Sequence, residues 1–181
     1  NIVPDGLYKD GPQRARFLPA IALVKLHTEV VNVDSGVDYR LRALEQAELY
    51  HWPLDAAAED SLSKSFSSLL PEHCQIELDE DLMIENRAIQ ARKVGDDVAW
   101  FEFRELCDGP RSQNDYIELG KIFHAVLISN VEQMGVSKDD MARRFINLVD
   151  EFYDRNVKLI ISAEVELKDL YTGGRLEFEF Q

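Results

Sequence analysis

Two spacings of hydrophobic residues alternate along this chain, one close to the helical period and one close to two. From Gln13 to Leu26 the side chains of Phe17, Leu18, Ile21 and Val24 recur with near-helical spacing, interrupted by Pro19. The next piece, Thr28-Glu-Val-Val-Asn-Val-Asp34, reads as a short buried strand. Ser35-Gly36 makes a turn, and Val37 to Tyr50 carries the charge mixture and periodicity of an amphipathic helix that His51-Trp52-Pro53 ends. Asp55 or Asp60 can cap a further helix running to about Leu70. Its apolar face holds Leu62, Phe66, Leu69 and Leu70, and Pro71 stops it.

Beyond Pro71 the period changes to alternation. Arg87–Val94 and Val98–Phe103 flank Gly95-Asp96-Asp97 and predict a hairpin. Asn114–Ile122 reads as helix, while Phe123–Ser129 and Val157–Ser162 read as buried strands. Between those strands lies the strongest helix signal. Ser137 stands as its cap, Asp140 at the capping-box position, and Met141, Phe145, Leu148, Val149 and Phe152 on one stripe. Strand, helix and strand at this spacing make a βαβ unit with parallel strands and a right-handed crossover. Leu176–Phe180 alternates as an edge or half-buried strand does. Laid in one register, the segment from Asn1 over that from Glu164 matches Leu7-Tyr8 with Leu170-Tyr171, Gly11 with Gly174 and Phe17 with Phe180. If this is a repeat, the two segments follow strands in two α/β units.

Composition narrows the function classes. The 181 residues carry 34 Asp and Glu against 20 Lys and Arg, a net charge of −14, which opposes binding to phosphate backbones and anionic membranes. With 45% hydrophobic residues the chain has enough apolar surface to fold without staples, and no run approaches the roughly 18 apolar residues of a transmembrane helix. Cys74 and Cys107 lie far apart and form no C-x-x-C pair, which favours a reducing compartment. The opening Asn1-Ile-Val-Pro-Asp-Gly6 has neither an initiator Met nor a leader pattern, so the chain is expected to be cut from something longer.

Candidate chemistry is sparse. The four histidines, His27, His51, His73 and His124, show no metal-ligand spacing. Asp150-Glu151 has the look of a magnesium-binding acidic pair, yet it falls well inside a helix rather than at a strand end and reads as solvated, with Asp150 paired to Arg143 or Arg144. Cys107 with His124 would make a nucleophile and base only if the fold joined them; a small buried hydrophobe is the plainer reading of the cysteine. Trp100, Phe101 and Phe103 read as core rather than as a base-stacking platform.

Several motifs in fixed order carry a family resemblance. They are Leu7-Tyr8-Lys9-Asp10-Gly11-Pro12-Gln13-Arg14-Ala15-Arg16-Phe17-Leu18-Pro19, then Val31-Asn-Val-Asp-Ser-Gly-Val-Asp-Tyr-Arg40, then Phe103-x-Glu-Leu-Cys-x-x-Pro-Arg-Ser112 with Asp115-Tyr116, and Arg143-Arg-Phe-Ile-x-Leu-Val-Asp150 with Tyr153-Asp154. The chain resembles the ZapE-type cell-division ATPases, bacterial relatives of the mitochondrial Afg-type ATPases. The segment from about Trp52 to Lys93 is the least distinctive. The resemblance implies an α/β fold: the end of an AAA+-like P-loop core over residues 1–36, a helical, lid-like segment over 37–72, and a mixed α/β region with the βαβ unit over 73–181.

It also implies a division of labour. The chain contains no G-x-x-x-x-G-K-[ST] sequence, so the phosphate cradle and the magnesium ligands are expected upstream, and ATP and Mg are cofactors of the whole protein rather than of this piece. By the resemblance Asn1 stands at the sensor position, and Arg14 or Arg16 is the arginine finger offered to a neighbouring subunit, the family pattern favouring Arg14. Arg40 is a candidate second sensor. Read from the residues alone, each arginine is rather an ordinary solvated charge, Arg14 and Arg16 pairing with acidic neighbours and Arg40 with Asp38 or Glu45. The implied setting is cytoplasmic, at the division site, as a homo-oligomer that modulates the tubulin-like FtsZ polymer. The competing expectation is that His73–Gln181 docks a partner protein independently of nucleotide, and a third is a thiol enzyme built on Cys107.

Overall fold

The computed structural model describes residue 15, residues 18–27, residues 48–174, and residues 176 and 179. The chain divides into two units, Asn1–Asp38 and Tyr39–Gln181. In the first, helix α1 spans Leu18–His27. Pro19 falls in its first turn, where a missing N–H removes no helical hydrogen bond.

The second unit is built on six strands: β1 (Tyr50–His51), β2 (Ile76–Ile84), β3 (Arg87–Gly95), β4 (Val98–Glu102), β5 (Ala125–Val131) and β7 (Lys158–Ala163). Their spatial order is β1-β7-β5-β4-β3-β2. The first four in that order run parallel, while β3 and β2 fold back as an antiparallel meander. Short β6 (Met134–Gly135) and β8 (Tyr171–Thr172) pair separately.

Helices cover both faces. Helix α2 (Ala56–Leu69), with Asp55 as its N-cap, sets Leu62, Phe66 and Leu69 against Val98, Trp100, Leu127 and Ile160. On the opposite face α3 (Phe103–Cys107), α4 (Gln113–Ile122) and α5 (Asp139–Asp154) pack over Phe101, Val126, Ile128 and Ile161. The alternation follows from strand geometry: Trp100 stands beside Leu127 and Leu127 beside Ile160 in one row, with Phe101, Ile128 and Ile161 in the adjacent row on the other face. Burial on both sides is why β5 reads as a continuous apolar run. Each of these large side chains contributes about 1.5–3 kcal/mol by leaving water.

The hairpin, α2 and its Asp55 cap, and the parallel pair around α5 agree with the sequence reading. Four details differ. Helix α5 starts at Asp139 after a 3-10 turn, Val136–Lys138, so Ser137 lies in that turn and is not the cap. Asp139 and Asp140 instead place negative charge in the first turn, where the helix dipole favours it. Phe103 opens α3 rather than extending β4, and Tyr50 belongs to a two-residue strand rather than a helix end. Leu176 lies in a turn; most of the strand expected around it falls outside the described residues, as do the strand expected over 28–34 and residues 37–47 of the helix expected over 37–50.

Candidate functional site

Four parallel strands end on the same side of the sheet, and their carboxyl ends open onto a cleft of about 530 Å³. Leu54 follows β1, Glu102, Arg104 and Glu105 follow or end β4, Asn130 and Glu132 close β5, Glu164 follows β7, and Asp79, Gln90 and Arg92 come from β2 and β3. After β1 the chain crosses to one face as α2; after β4 and β5 it crosses to the other as α3, α4 and α5. A crevice outside the carboxyl ends, where successive connections leave for opposite faces, is where open α/β sheets take ligands.

Arg92 is the centre of the cleft. The register of β3 against β4 shifts between Ala91 and Lys93, so Arg92 sits on a bulge that re-aims its side chain. The guanidinium pairs with Glu59 of α2, lies 3.1 Å from Glu102 Oε1 and donates to Ser129 Oγ at 2.8 Å. It also lies over the Trp100 ring, whose Nε1 donates to the same Ser129 hydroxyl. Burial lowers the pKa of Arg92, but the hydrogen bond and charge of Glu59, with Glu102 and Asp79, raise it overall.

A second group forms the rim. Arg104 donates to both oxygens of Glu132, at 2.7 and 2.9 Å, and Lys138 Nζ reaches Glu132 Oε1 at 2.9 Å. The Arg104 hydrogen bond, opposed by burial and helped by Lys138, holds the Glu132 carboxyl below the usual glutamate range. Asn130 adopts a left-handed backbone (φ 62°) and donates through Nδ2 to Glu102 Oε2 at 2.7 Å.

The lining therefore carries five carboxylates and two guanidiniums, a formal balance of −3, and both guanidiniums are already bound to carboxylates. A phosphate-binding turn needs glycine-rich backbone with free N–H groups and a lysine. Between β1 and α2 stands Trp52-Pro53-Leu54-Asp55, without glycine, and Asp55 Oδ1 accepts the Ala58 N–H at 2.9 Å. A carboxylate thus occupies the helix N-terminus that an anion would need. The cleft does not fit a nucleotide phosphate.

Asn1, Arg14, Arg16 and Arg40 lie outside the described residues. Asp150 is exposed, as read, but its expected partners go elsewhere: Arg143 pairs with Glu179, and Arg144 donates to the Cys107 carbonyl at 3.3 Å. Cys107 is fully buried and its thiol is pushed far up by burial, which removes the thiolate a nucleophile requires. Trp100, Phe101 and Phe103 are all core. Among the described residues no group of three or more His, Cys, Asp or Glu is placed to hold a metal ion, and no helix is long and apolar enough to cross a membrane. Arg92 itself escaped the sequence reading, because a bulge has no signature in a run such as Gln90-Ala-Arg-Lys93; the adjacent aromatic Trp100 was its only trace.

A family model described as AFG1-like ATPase matches residues 1–181, the full chain. The chain belongs to the AFG1-like ATPase family. Within it, the cell division protein ZapE of Escherichia coli K12 is 47% identical over 181 residues, which are all of this chain and 48% of that protein. Lactation elevated protein 1 homolog B of Danio rerio is 32% identical over 180 residues, 99% of this chain and 36% of its own length. A Schizosaccharomyces pombe protein is 33% identical over 172 residues, 94% of this chain and 38% of its own. The chain thus spans about half the length of the ZapE relatives and less of the others. No solved structure matches it. For this family member, the mostly parallel sheet with helices on both faces agrees with the C-terminal portion of a P-loop-NTPase-like protein.

Proposed function

We propose that this chain is the C-terminal part of a ZapE-like ATPase that couples ATP hydrolysis to modulation of the FtsZ division ring, and that the piece alone does not hydrolyse ATP. The observation that carries this reading is the match of the AFG1-like ATPase model to the full chain, joined to 47% identity with a cell division protein. The sequence agrees, having no phosphate loop, and so does the acidic cleft, which repels polyphosphate. ATP and Mg belong to the whole protein, which works as a homo-oligomer in the cytoplasm at the division site. Residues 1–36 close the ATPase core, with Asn1 as sensor and Arg14 or Arg16 as the finger offered to a neighbouring subunit, and Arg40, where the lid-like segment begins, is a second sensor.

An arginine finger stabilises charge that gathers on the transferred phosphoryl oxygens, and is worth about 10³–10⁵ in kcat in other phosphoryl-transfer enzymes. The test is steady-state phosphate release by the full-length protein. One of Arg14→Ala and Arg16→Ala lowers kcat by orders of magnitude with nucleotide affinity within about threefold, and the other changes little; retention of activity by both defeats the finger assignment. The 181-residue chain assayed alone gives no turnover above background, and FtsZ polymer sedimentation with and without ATP reads the coupling.

The second reading, a partner-docking module that ignores nucleotide, draws on the same cleft, which is built and yet unsuited to phosphate. FtsZ capture by the 181-residue chain that is equal with and without ATP favours it. A truncation at residue 73 cannot make the comparison, because it deletes β1 and α2 and uncovers Trp100.

A further inference from the structure

Among the described residues the sheet ends at β2, which pairs with β3 and has no further strand on its outer side. Long open edges are a hazard that folded proteins blunt with short strands, proline, bulges or charged side chains, lysine above all. Strand β2 has neither proline nor lysine; the charges along it are all acidic, and Asp79 at its middle takes a left-handed backbone (φ 52°). It runs for nine residues, Ile-Glu-Leu-Asp-Glu-Asp-Leu-Met-Ile, about 30 Å at roughly 3.3 Å per residue, and leaves Ile76, Leu78 and Met83 44%, 64% and 68% exposed. Its only polar residues are acidic. Moreover, the inner neighbour does not neutralise them: Glu77 stands opposite Val94, Glu80 opposite Ala91 and Asp81 opposite Gln90. Among the described residues Glu77, Glu80 and Asp81 enter no ion pair.

We infer that the outer edge of β2 is a docking edge for a basic, extended segment of a partner protein, which adds to the sheet as a further strand. Backbone groups of the edge supply register-independent hydrogen bonds, the exposed Ile76, Leu78 and Met83 supply apolar contact, and the unpaired carboxylates select cationic side chains. A second copy of this chain does not fit. Antiparallel pairing of two β2 strands about Glu80 sets Glu80 against Glu80 and Asp79 against Asp81, and like charges directly opposite destabilise a ladder. Nucleic acid is repelled by the same carboxylates. The inference does not depend on the ATPase reading.

The probe is a fluorescein-labelled nine-residue peptide of alternating Lys and Val, titrated against the 181-residue chain, with a Glu–Val peptide as control. Anisotropy is expected to report binding of the basic peptide only, weakened at least tenfold between 50 and 500 mM salt and at least tenfold by Glu77→Lys with Asp81→Lys. Amide hydrogen exchange of β2 slows at least tenfold in the complex. Both substituted side chains are exposed; should that double variant not fold, Glu77→Gln with Asp81→Asn replaces it, with at least a threefold loss expected. The inference is overturned by any of four results: no binding at 1 mM chain, equal binding by the charge variants, equal binding of the Glu–Val peptide, or protection confined to another strand. A chain that sediments as a dimer with its β2 amides protected also overturns it, by placing a second copy on the edge.

Discussion

The guanidinium carbon of Arg92 lies 4.4 Å from the centroid of the Trp100 ring. That contact ties a strand bulge, the buried core under Trp100 and helix α2 into one unit, since the same guanidinium pairs with Glu59 on the helix. Replacing Arg92 by Ala removes the stacking, worth about 0.5–2 kcal/mol, and partly exposed ion pairs worth up to about 1 kcal/mol. Urea unfolding of Arg92→Ala is expected to show a loss of about 1–3 kcal/mol at unchanged m-value. Arg92→Lys keeps the charge but not the planar fork, and loses roughly half as much. A loss under about 0.3 kcal/mol for Arg92→Ala would show that the contact is incidental, with Lys93, 5.3 Å from the same ring centroid, carrying the stacking instead.

The buried bond from Trp100 Nε1 to Ser129 Oγ gives a second test, by a double-mutant cycle. Both residues are 0% exposed, so Ser129→Ala strands an indole N–H away from water, at a cost of about 1–3 kcal/mol. Trp100→Phe removes the donor and leaves Ser129 its bond from Arg92 at 2.8 Å. The double variant is therefore expected to lose less than the two single losses added, by at least about 0.5 kcal/mol. Strict additivity in denaturant midpoints would mean that the hydrogen bond adds nothing to packing.

Most of this fold is legible from spacing alone, and the exceptions have physical causes. Helix α2 shows because Asp55 caps it and Leu62, Phe66 and Leu69 fall on one stripe. The parallel pair β5 and β7 shows because both faces are covered and the strands become continuous apolar runs. Strand β1 is invisible at two residues: only its register, Tyr50 beside Ile161, makes it a strand. Helix α5 misleads at its start because Ser137 has the residue type of a cap, while a 3-10 turn occupies that position. The cleft was not legible at all. Its residues come from six strands and the segments that follow them, and what joins Arg92 to Glu59 and Ser129 is topology, 33 and 37 residues distant in the chain.

Acid should act on this unit through Glu132. Its carboxyl is held below the ordinary value of 4.5 first by the hydrogen bond from Arg104, then by Lys138. A depressed folded-state pKa contributes stability that is present above the unfolded value and is lost as pH falls through the folded one. Glu132→Gln is therefore expected to lower the urea midpoint at pH 7, with the gap to the unmodified chain closing as the pH drops below about 4.5. A gap that is constant from pH 7 to pH 3 would assign the effect of the substitution to packing rather than to charge.

The two cysteines separate local exposure from global opening. Cys74 is half-buried before β2, whereas Cys107 is 0% exposed in α3, and burial pushes its thiol up despite the Tyr116 hydrogen bond and the charge of Arg144. A thiol reacts as thiolate and only where reagent can reach it. In native buffer Ellman's reagent is expected to label one thiol per chain promptly, and both in 8 M urea. Cys74→Ala should abolish the prompt phase. The residual rate at Cys107 then reports opening of the core, so Leu62→Ala, a core truncation costing about 2–5 kcal/mol, should raise it many-fold even though Leu62 lies on the opposite face of the sheet. Prompt labelling of Cys107 in the unmodified chain would contradict its burial and reopen the case for a reactive thiol at that position.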